Sequence, residues 1–322
     1  MKRLIGACLL AALGWAGFWF WQASAIRADL RGWFEARAEE GWQADYAAIR
    51  VRGFPSRLDV TIEEPRLGNP ETGFGWQAPF LQILGLTYQP GHHILAFADE
   101  QRWQTPDGPV TVTSQGLRAS VIHDPADGAL LRANAEAEVL NIAGPETALA
   151  LAGLTAGLHR AESPTDQRLA IQVESVAGRD GPLTDGRLEA VAVQALLSFA
   201  EPLRLADLAG PAPMPRAIDL ARAQYRVEGL ELHAAGRVTV DDAGRLDGTM
   251  TLRAVNWRSL IDRARAAGML PDSFTDAFED ALSLAAGLSG RPDTLDIPLT
   301  IDRGQMRFGM IPLGPAPRLR RD

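Results

Sequence analysis

The feature that most constrains this chain is an unbroken apolar run near its N-terminus, at residues 4–21. Its roughly 18 residues approach the ~20 that a helix needs to cross the hydrocarbon core of a bilayer. Lys2 and Arg3 precede the run, and positive charge before a span places the N-terminus in the cytoplasm. We therefore predict a transmembrane anchor at residues 4–21, with the rest of the chain beyond the membrane.

A removed signal peptide is the alternative, because Ala23-Ser24-Ala25 has the small residues of a cleavage site. The apolar run exceeds the ~7–15 residues of such a signal, and bulky aromatic residues stand directly before the site. The same aromatic residues suit the membrane–water interface. We expect an uncleaved, single-pass anchor in the inner membrane, with the body in the periplasm.

An amphipathic helix is predicted next, at residues 26–43. Ile26, Leu30, Trp33, Phe34 and Trp42 repeat at helical spacing, and charged residues occupy the opposite face. Such a helix can lie on the membrane surface or pack against the body. We favour packing against the body.

Short alternating strands dominate from residue 44 onward, separated by turn dipeptides such as Pro90-Gly91 and Asp107-Gly108. This pattern predicts a mainly β (α+β) fold: an extended, curved antiparallel sheet whose consecutive strands pair as a meander. Prolines at 211, 213 and 215 indicate a boundary between β-rich regions at residues 44–209 and 217–322. The second region carries two predicted helices, at residues 257–267 and 273–288.

Charge and cysteine content exclude several classes of function. The net charge of −8 argues against nucleic acid as a partner, because phosphate binding favours a basic face. Cys8, inside the apolar run, is the only cysteine, so the body has no disulfide framework, zinc thiolate site or cysteine nucleophile.

Histidine is the remaining source of catalytic chemistry. His92 and His93 are adjacent, and neighbours on a strand point to opposite faces, so they cannot grip one metal together. His123 stands beside Asp124 but lacks an accompanying nucleophile motif. We predict no catalytic, metal-binding or cofactor-binding residue, no cofactor and no enzyme activity. A hydrolase with a dispersed site, where His93 or His123 meets carboxylates, is an alternative.

Three arginines close to the anchor are candidates for lipid headgroup contact: Arg50, Arg52 and Arg57. Arg50 and Arg52 share one strand face at i and i+2, and guanidinium groups bind phosphate in a bidentate manner. The alternative is that they form ion pairs with Glu63, Glu64 or the acidic residues of the preceding helix.

Two segments resemble known families. The segment RGFPSRL at residues 52–58 resembles the "RGYPFR"-type signature of the bacterial domain-of-unknown-function family 2125, and the order of anchor, helix, motif and β-rich body resembles that family along nearly the full chain. Residues 236–250, 299–309 and 311–314 are similar to the strand repeats of AsmA-like envelope proteins. That second resemblance implies long curved sheets and movement of lipid between membranes.

The function that we expect is that of a non-enzymatic envelope factor that binds or passes phospholipid in envelope maintenance. An open sheet leaves apolar surface, and such surface usually marks a ligand groove or a partner. A second hypothesis is a scaffold that pairs with another envelope protein by strand addition. The lipid hypothesis predicts a continuous apolar groove, and the scaffold hypothesis predicts an exposed sheet edge.

Overall fold

A large open antiparallel sheet dominates the structure, and 57% of the residues lie in strands, which confirms the predicted mainly β fold. The chain divides into two compact units, Met1–Ala126 with Ala135–Glu146 and Asp127–Asn134 with Thr147–Asp322. This division differs from the boundary at residues 209–217 that the prolines indicate. The computed structural model describes residues 1–145, 148–179, 188–208, 213–227, 229–266, 280, 282–283, 286–287 and 291–319.

The N-terminal helix α1 runs without a break from Lys2 to Glu39, over 38 residues. The prediction of a separate anchor and amphipathic helix is therefore wrong, because residues 22–25 are ordinary helix formers and continue the same helix. The predicted end at residue 43 is also wrong. Gly41, at φ +87°, allows the left-handed turn that ends the helix. The helix is long and apolar enough to cross a membrane.

The first unit contains ten short strands and the greater part of an eleventh. Sequence neighbours form hairpins, but β3 also pairs with β6, β5 with β8 and β7 with β10, so the simple meander predicted here is wrong. A strand of one hairpin in this unit therefore also pairs with a strand from a later hairpin. The strands are β1 Gln43–Asp45, β2 Ala48–Arg52, β3 Arg57–Glu63, β4 Arg66–Asn69, β5 Phe74–Gln77, β6 Phe80–Leu86, β7 Gln89–Phe97, β8 Glu100–Thr105, β9 Gly108–Gln115, β10 Arg118–His123 and β11 Leu130–Ala143.

The core of the first unit forms where α1 lies against β2 and β3. Burial along β3 alternates residue by residue, so Leu58, Val60 and Ile62 face the helix. Trp19 and Phe34 of α1 are buried in the same cluster, together with Ala23 and Val51. This confirms that the helical segment after the apolar run packs against the body.

In the second unit the predicted meander is confirmed from β15 to β21, where each strand pairs with the next. The predicted connector at residues 210–216 lies partly outside the described residues; β15 and β16, on either side of it, are directly paired. The elements are β12 Ala148–Arg160, β13 Asp166–Val173, β14 Ser175–Arg179, β15 Leu188–Ser198, a 3₁₀ turn at Leu205–Leu208, β16 Ala217–Val227, β17 Leu230–Val240, β18 Leu246–Val255, α2 Trp257–Ala266, β19 Thr294–Asp302, β20 Gln305–Phe308 and β21 Ile311–Pro315.

Helix α2 confirms the first of the two helices predicted in this region. Trp257, at its start, is fully buried against Ala254 and Leu295, and its indole N–H donates to the carbonyl of Pro292 at 3.1 Å. The second predicted helix, at residues 273–288, lies largely outside the described residues.

Candidate functional site

The loop between β2 and β3, residues 53–56, makes a tight reversal that requires glycine at its start. Gly53 has φ +105°, a conformation that other residues rarely adopt. A Cβ at this position would lie 2.6 Å from the Cβ of Arg57. The N–H of Arg57 donates to the carbonyl of Gly53 at 2.8 Å, which closes the loop. The Phe54–Pro55 peptide bond is cis.

This loop contacts the apolar part of α1 through two tryptophans. The indole N–H of Trp15 donates to the carbonyl of Pro55 at 2.8 Å, and that of Trp19 donates to the carbonyl of Arg57 at 2.7 Å. Phe54 lies edge-on to Trp19 and stacks on Phe20, with ring centroids 5.6 and 5.9 Å apart. We call this contact between α1 and the loop the helix–hairpin junction.

A second turn supports the loop from the side. The backbone N–H and the hydroxyl of Thr87 both donate to the carbonyl of Ser56, at 3.0 and 3.1 Å. Thr87 is buried, whereas the side chain of the next residue, Tyr88, is exposed. The β6–β7 turn therefore lies at the same end of the first unit as the loop.

The three predicted headgroup arginines share the face of the hairpin that points away from α1. Arg50 forms an ion pair with Glu63 at 3.0 Å, and Arg57 forms one with Asp59 at 2.9 Å. Arg52 is exposed, directly precedes the loop, and has no ion pair among the described residues. Arg50 thus forms an ion pair with Glu63, as the ion-pairing alternative predicts. The guanidinium of Arg52 lies beside the junction without such a pair among the described residues.

His93 and His123 stack on neighbouring strands, with their Nε2 atoms 3.4 Å apart. Burial, followed by the charge of His123, lowers the pKa of His93 below its ordinary value. The Nδ1 of His123 lies 3.1 Å from the backbone carbonyl of Asp124 rather than from its carboxylate. In the described part of the chain, no group of three or more histidine, cysteine or acidic side chains could hold a metal ion.

A groove of about 460 Å³ in the first unit is lined in part by Gly68 and Gly75. A Cβ on Gly68 would approach the side-chain oxygen of Gln43, and a Cβ on Gly75 would approach the Cβ of Gln104, each at 3.4 Å. The lining of the groove is mixed, because Phe74, Trp76 and Trp103 contribute apolar surface beside the polar Gln43 and Gln104.

The fold and the junction define a mainly β protein whose body is held against a long apolar N-terminal helix. The chain belongs to a family described as uncharacterized proteins conserved in bacteria (DUF2125), whose model matches residues 19–317. The resemblance of residues 52–58 to that family is thereby confirmed, while the similarity to AsmA-like proteins stays a prediction. No curated protein and no solved structure matches the chain.

The residues that form the junction are largely ones that the sequence does not reveal. Trp15 and Trp19 are predicted only as aromatic residues of a membrane interface, and Phe54 is noted only within the segment RGFPSRL. Thr87 has no distinguishing pattern. The signal that could have joined them is the family motif, because its glycine, aromatic residue and proline form the loop that contacts the tryptophans of the helix.

Proposed function

We propose that this protein is a single-pass inner-membrane protein whose body lies in the periplasm and contacts phospholipid, without enzyme activity, in envelope maintenance. The observation that carries the proposal is the helix–hairpin junction. It attaches the β body to Trp15 and Trp19, near the C-terminal end of the apolar run of α1. In this proposal α1 is an uncleaved anchor, and Ala23, beside the alternative cleavage site, is fully buried against the body.

Arg52 is the residue that we propose for the lipid headgroup. It is exposed, forms no ion pair with a described acidic group, and precedes the loop that meets the anchor. A guanidinium at the interface donates two parallel hydrogen bonds to a phosphate, which gives both energy and orientation. Arg50 and Arg57 already have carboxylate partners, so their contribution is smaller.

The test is lipid retention by the full-length protein. The protein is extracted in a mild detergent and its bound phospholipid is counted by native mass spectrometry. Arg52→Ala should retain several-fold less phospholipid than the wild type. Arg102→Ala is the matched control, because Arg102 is an exposed arginine of the first unit that is paired with Glu100 at 3.1 Å. Equal retention by the wild type and Arg52→Ala would contradict the headgroup role.

Strand addition to another envelope protein is a second candidate function, favoured by β21. This strand pairs with β20 on one side, and no second partner strand is found among the described residues. Met310, directly before it, is 98% exposed, and Leu313 within it is also exposed. A photo-crosslinking residue at position 310 should capture a protein in cells if this function holds. The control places the photo-crosslinking amino acid at position 74, because Phe74 is an exposed residue of the first unit.

A further inference from the structure

We propose that the loop at residues 53–56 enters the periplasmic leaflet beside α1, so that lipid acyl chains cover the exposed face of Phe54. This inference rests on the proposed membrane-spanning role of α1. It adds a second membrane contact, which the β body itself makes. The body would then contact the lipid directly and would not be connected to the membrane through α1 alone.

The depth of the loop follows from the length of the apolar run. Trp15 lies about 9 Å before Trp21 along the helix axis, at ~1.5 Å per residue. If Trp15 lay above the hydrocarbon core, residues 4–14 alone would have to cross it, which is roughly 17 Å of helix against a core of ~30 Å. Trp15 therefore lies within the leaflet. The carbonyl of Pro55, which accepts its N–H at 2.8 Å, lies at the same depth.

Three of the four carbonyls of the loop at residues 53–56 are suited to that environment. Lipid offers no hydrogen-bond partners, so polar backbone groups at membrane depth must be satisfied within the protein. The carbonyl of Gly53 accepts from the N–H of Arg57, that of Pro55 accepts from Trp15, and that of Ser56 accepts from Thr87. Pro55 brings no N–H that would need a partner.

The side chains at this end of the unit also fit the leaflet. Phe54 is 51% exposed although it stacks on Phe20, which is exposed as well. Large apolar rings grouped around an apolar helix are favourable in lipid and costly in water. Tyr88, on the neighbouring turn, has the amphipathic ring that prefers the headgroup level. Arg52, at the base of the loop, then meets the phosphates.

The experiment measures contact with lipid at single sites of the full-length protein in phospholipid nanodiscs. Single cysteines are placed in a Cys8→Ser background and labelled with bimane, and the quencher is a phospholipid with a nitroxide on its acyl chain. Phe54→Cys should be quenched as strongly as Leu10→Cys, which reports the anchor. Phe74→Cys is the matched control, because Phe74 is 54% exposed and begins β5, a strand that pairs with β4 and β8 and not with the β2–β3 hairpin; it should not be quenched.

A second probe covers the case in which loss of the Phe54 ring disturbs the loop. Tyr88→Cys leaves the junction intact and should be quenched by a nitroxide on the lipid headgroup. Quenching at Leu10 without quenching at positions 54 and 88 would overturn the loop insertion while leaving the anchor in place. Absence of quenching at Leu10 as well would overturn the membrane-spanning role itself.

Discussion

Gly53 determines whether the β2–β3 hairpin can turn back onto α1. With φ +105° and a hypothetical Cβ 2.6 Å from that of Arg57 and 2.9 Å from its carbonyl oxygen, any side chain here meets backbone that cannot move freely. We expect Gly53→Ala to lower the free energy of unfolding by more than the ~1–2 kcal/mol of a left-handed backbone alone, because the clash adds to the strain. Thermal unfolding in detergent measures the loss.

Gly41→Ala is the control for that prediction. Gly41 has a comparable φ of +87°, but nothing lies within 4 Å of its hypothetical Cβ. Gly41→Ala should therefore lower the free energy of unfolding only by the ~1–2 kcal/mol of a left-handed backbone. Equal losses in the two variants would mean that the close approach to Arg57 has no energetic importance.

His93 predicts a pH dependence of stability. Burial, and then the charge of His123, lower the pKa of His93 below its ordinary value of 6.5, so near that pH the unfolded chain binds the proton more readily than the folded protein does. Stability should therefore fall as the pH drops through 6.5 towards the folded-state pKa. Urea unfolding on both sides of this window measures the effect. His93→Gln should reduce it, and an unchanged pH dependence in the variant would contradict the assignment.

Helix α1 and the β2–β3 hairpin behave as one element because two indole N–H groups join them. Trp19→Phe keeps an aromatic ring but removes the donor to the carbonyl of Arg57 and leaves space in a site where Trp19 is only 4% exposed. We expect a loss of roughly 1–3 kcal/mol in the free energy of unfolding. Trp21→Phe, on the exposed side of the same helix, should be nearly neutral. A loss of equal size at Trp21 would argue against the junction.

Local patterns account for what the sequence predicts correctly among these elements. Alternation along residues 57–62 identifies β3 and its buried face, and the dipeptide Asp107-Gly108 lies at the turn that separates β8 from β9. Both depend only on neighbouring residues. The pairing of β3 with β6 or β7 with β10 depends on contacts between distant segments, which alternation does not encode.

The candidate site shows the same limit more sharply. The common face of Arg50 and Arg52 follows from the strand period, and their register against β3 confirms it. The carboxylate that pairs with Arg50 and the tryptophan that contacts Pro55 come from other segments of the chain. The sequence therefore leaves both headgroup contact and ion pairing open for the arginines. The structure distinguishes them, because Arg50 pairs with Glu63 and Arg52 has no ion pair among the described residues.

The first unit is not independent of α1, because residues of the helix form part of its core. Trp19, Ala23 and Ile26 belong to the core of the first unit, so removal of residues 1–27 should open that core. Burying a large aromatic side chain contributes about 3–5 kcal/mol, so the shortened chain should unfold at clearly lower urea concentration or aggregate. Removal of residues 1–13 alone keeps the junction and should have a much smaller effect on unfolding. Equal stability of both shortened chains would contradict this view of the core.

The orientation of the whole protein is tested by thiol labelling in intact spheroplasts. A Cys8→Ser chain carries either Lys2→Cys or Met310→Cys, and Met310 is 98% exposed. A membrane-impermeant maleimide should label position 310 before lysis and position 2 only after lysis. Labelling of position 310 only after lysis, or a mature protein that lacks residues 1–25, would contradict the single-pass anchor with a periplasmic body.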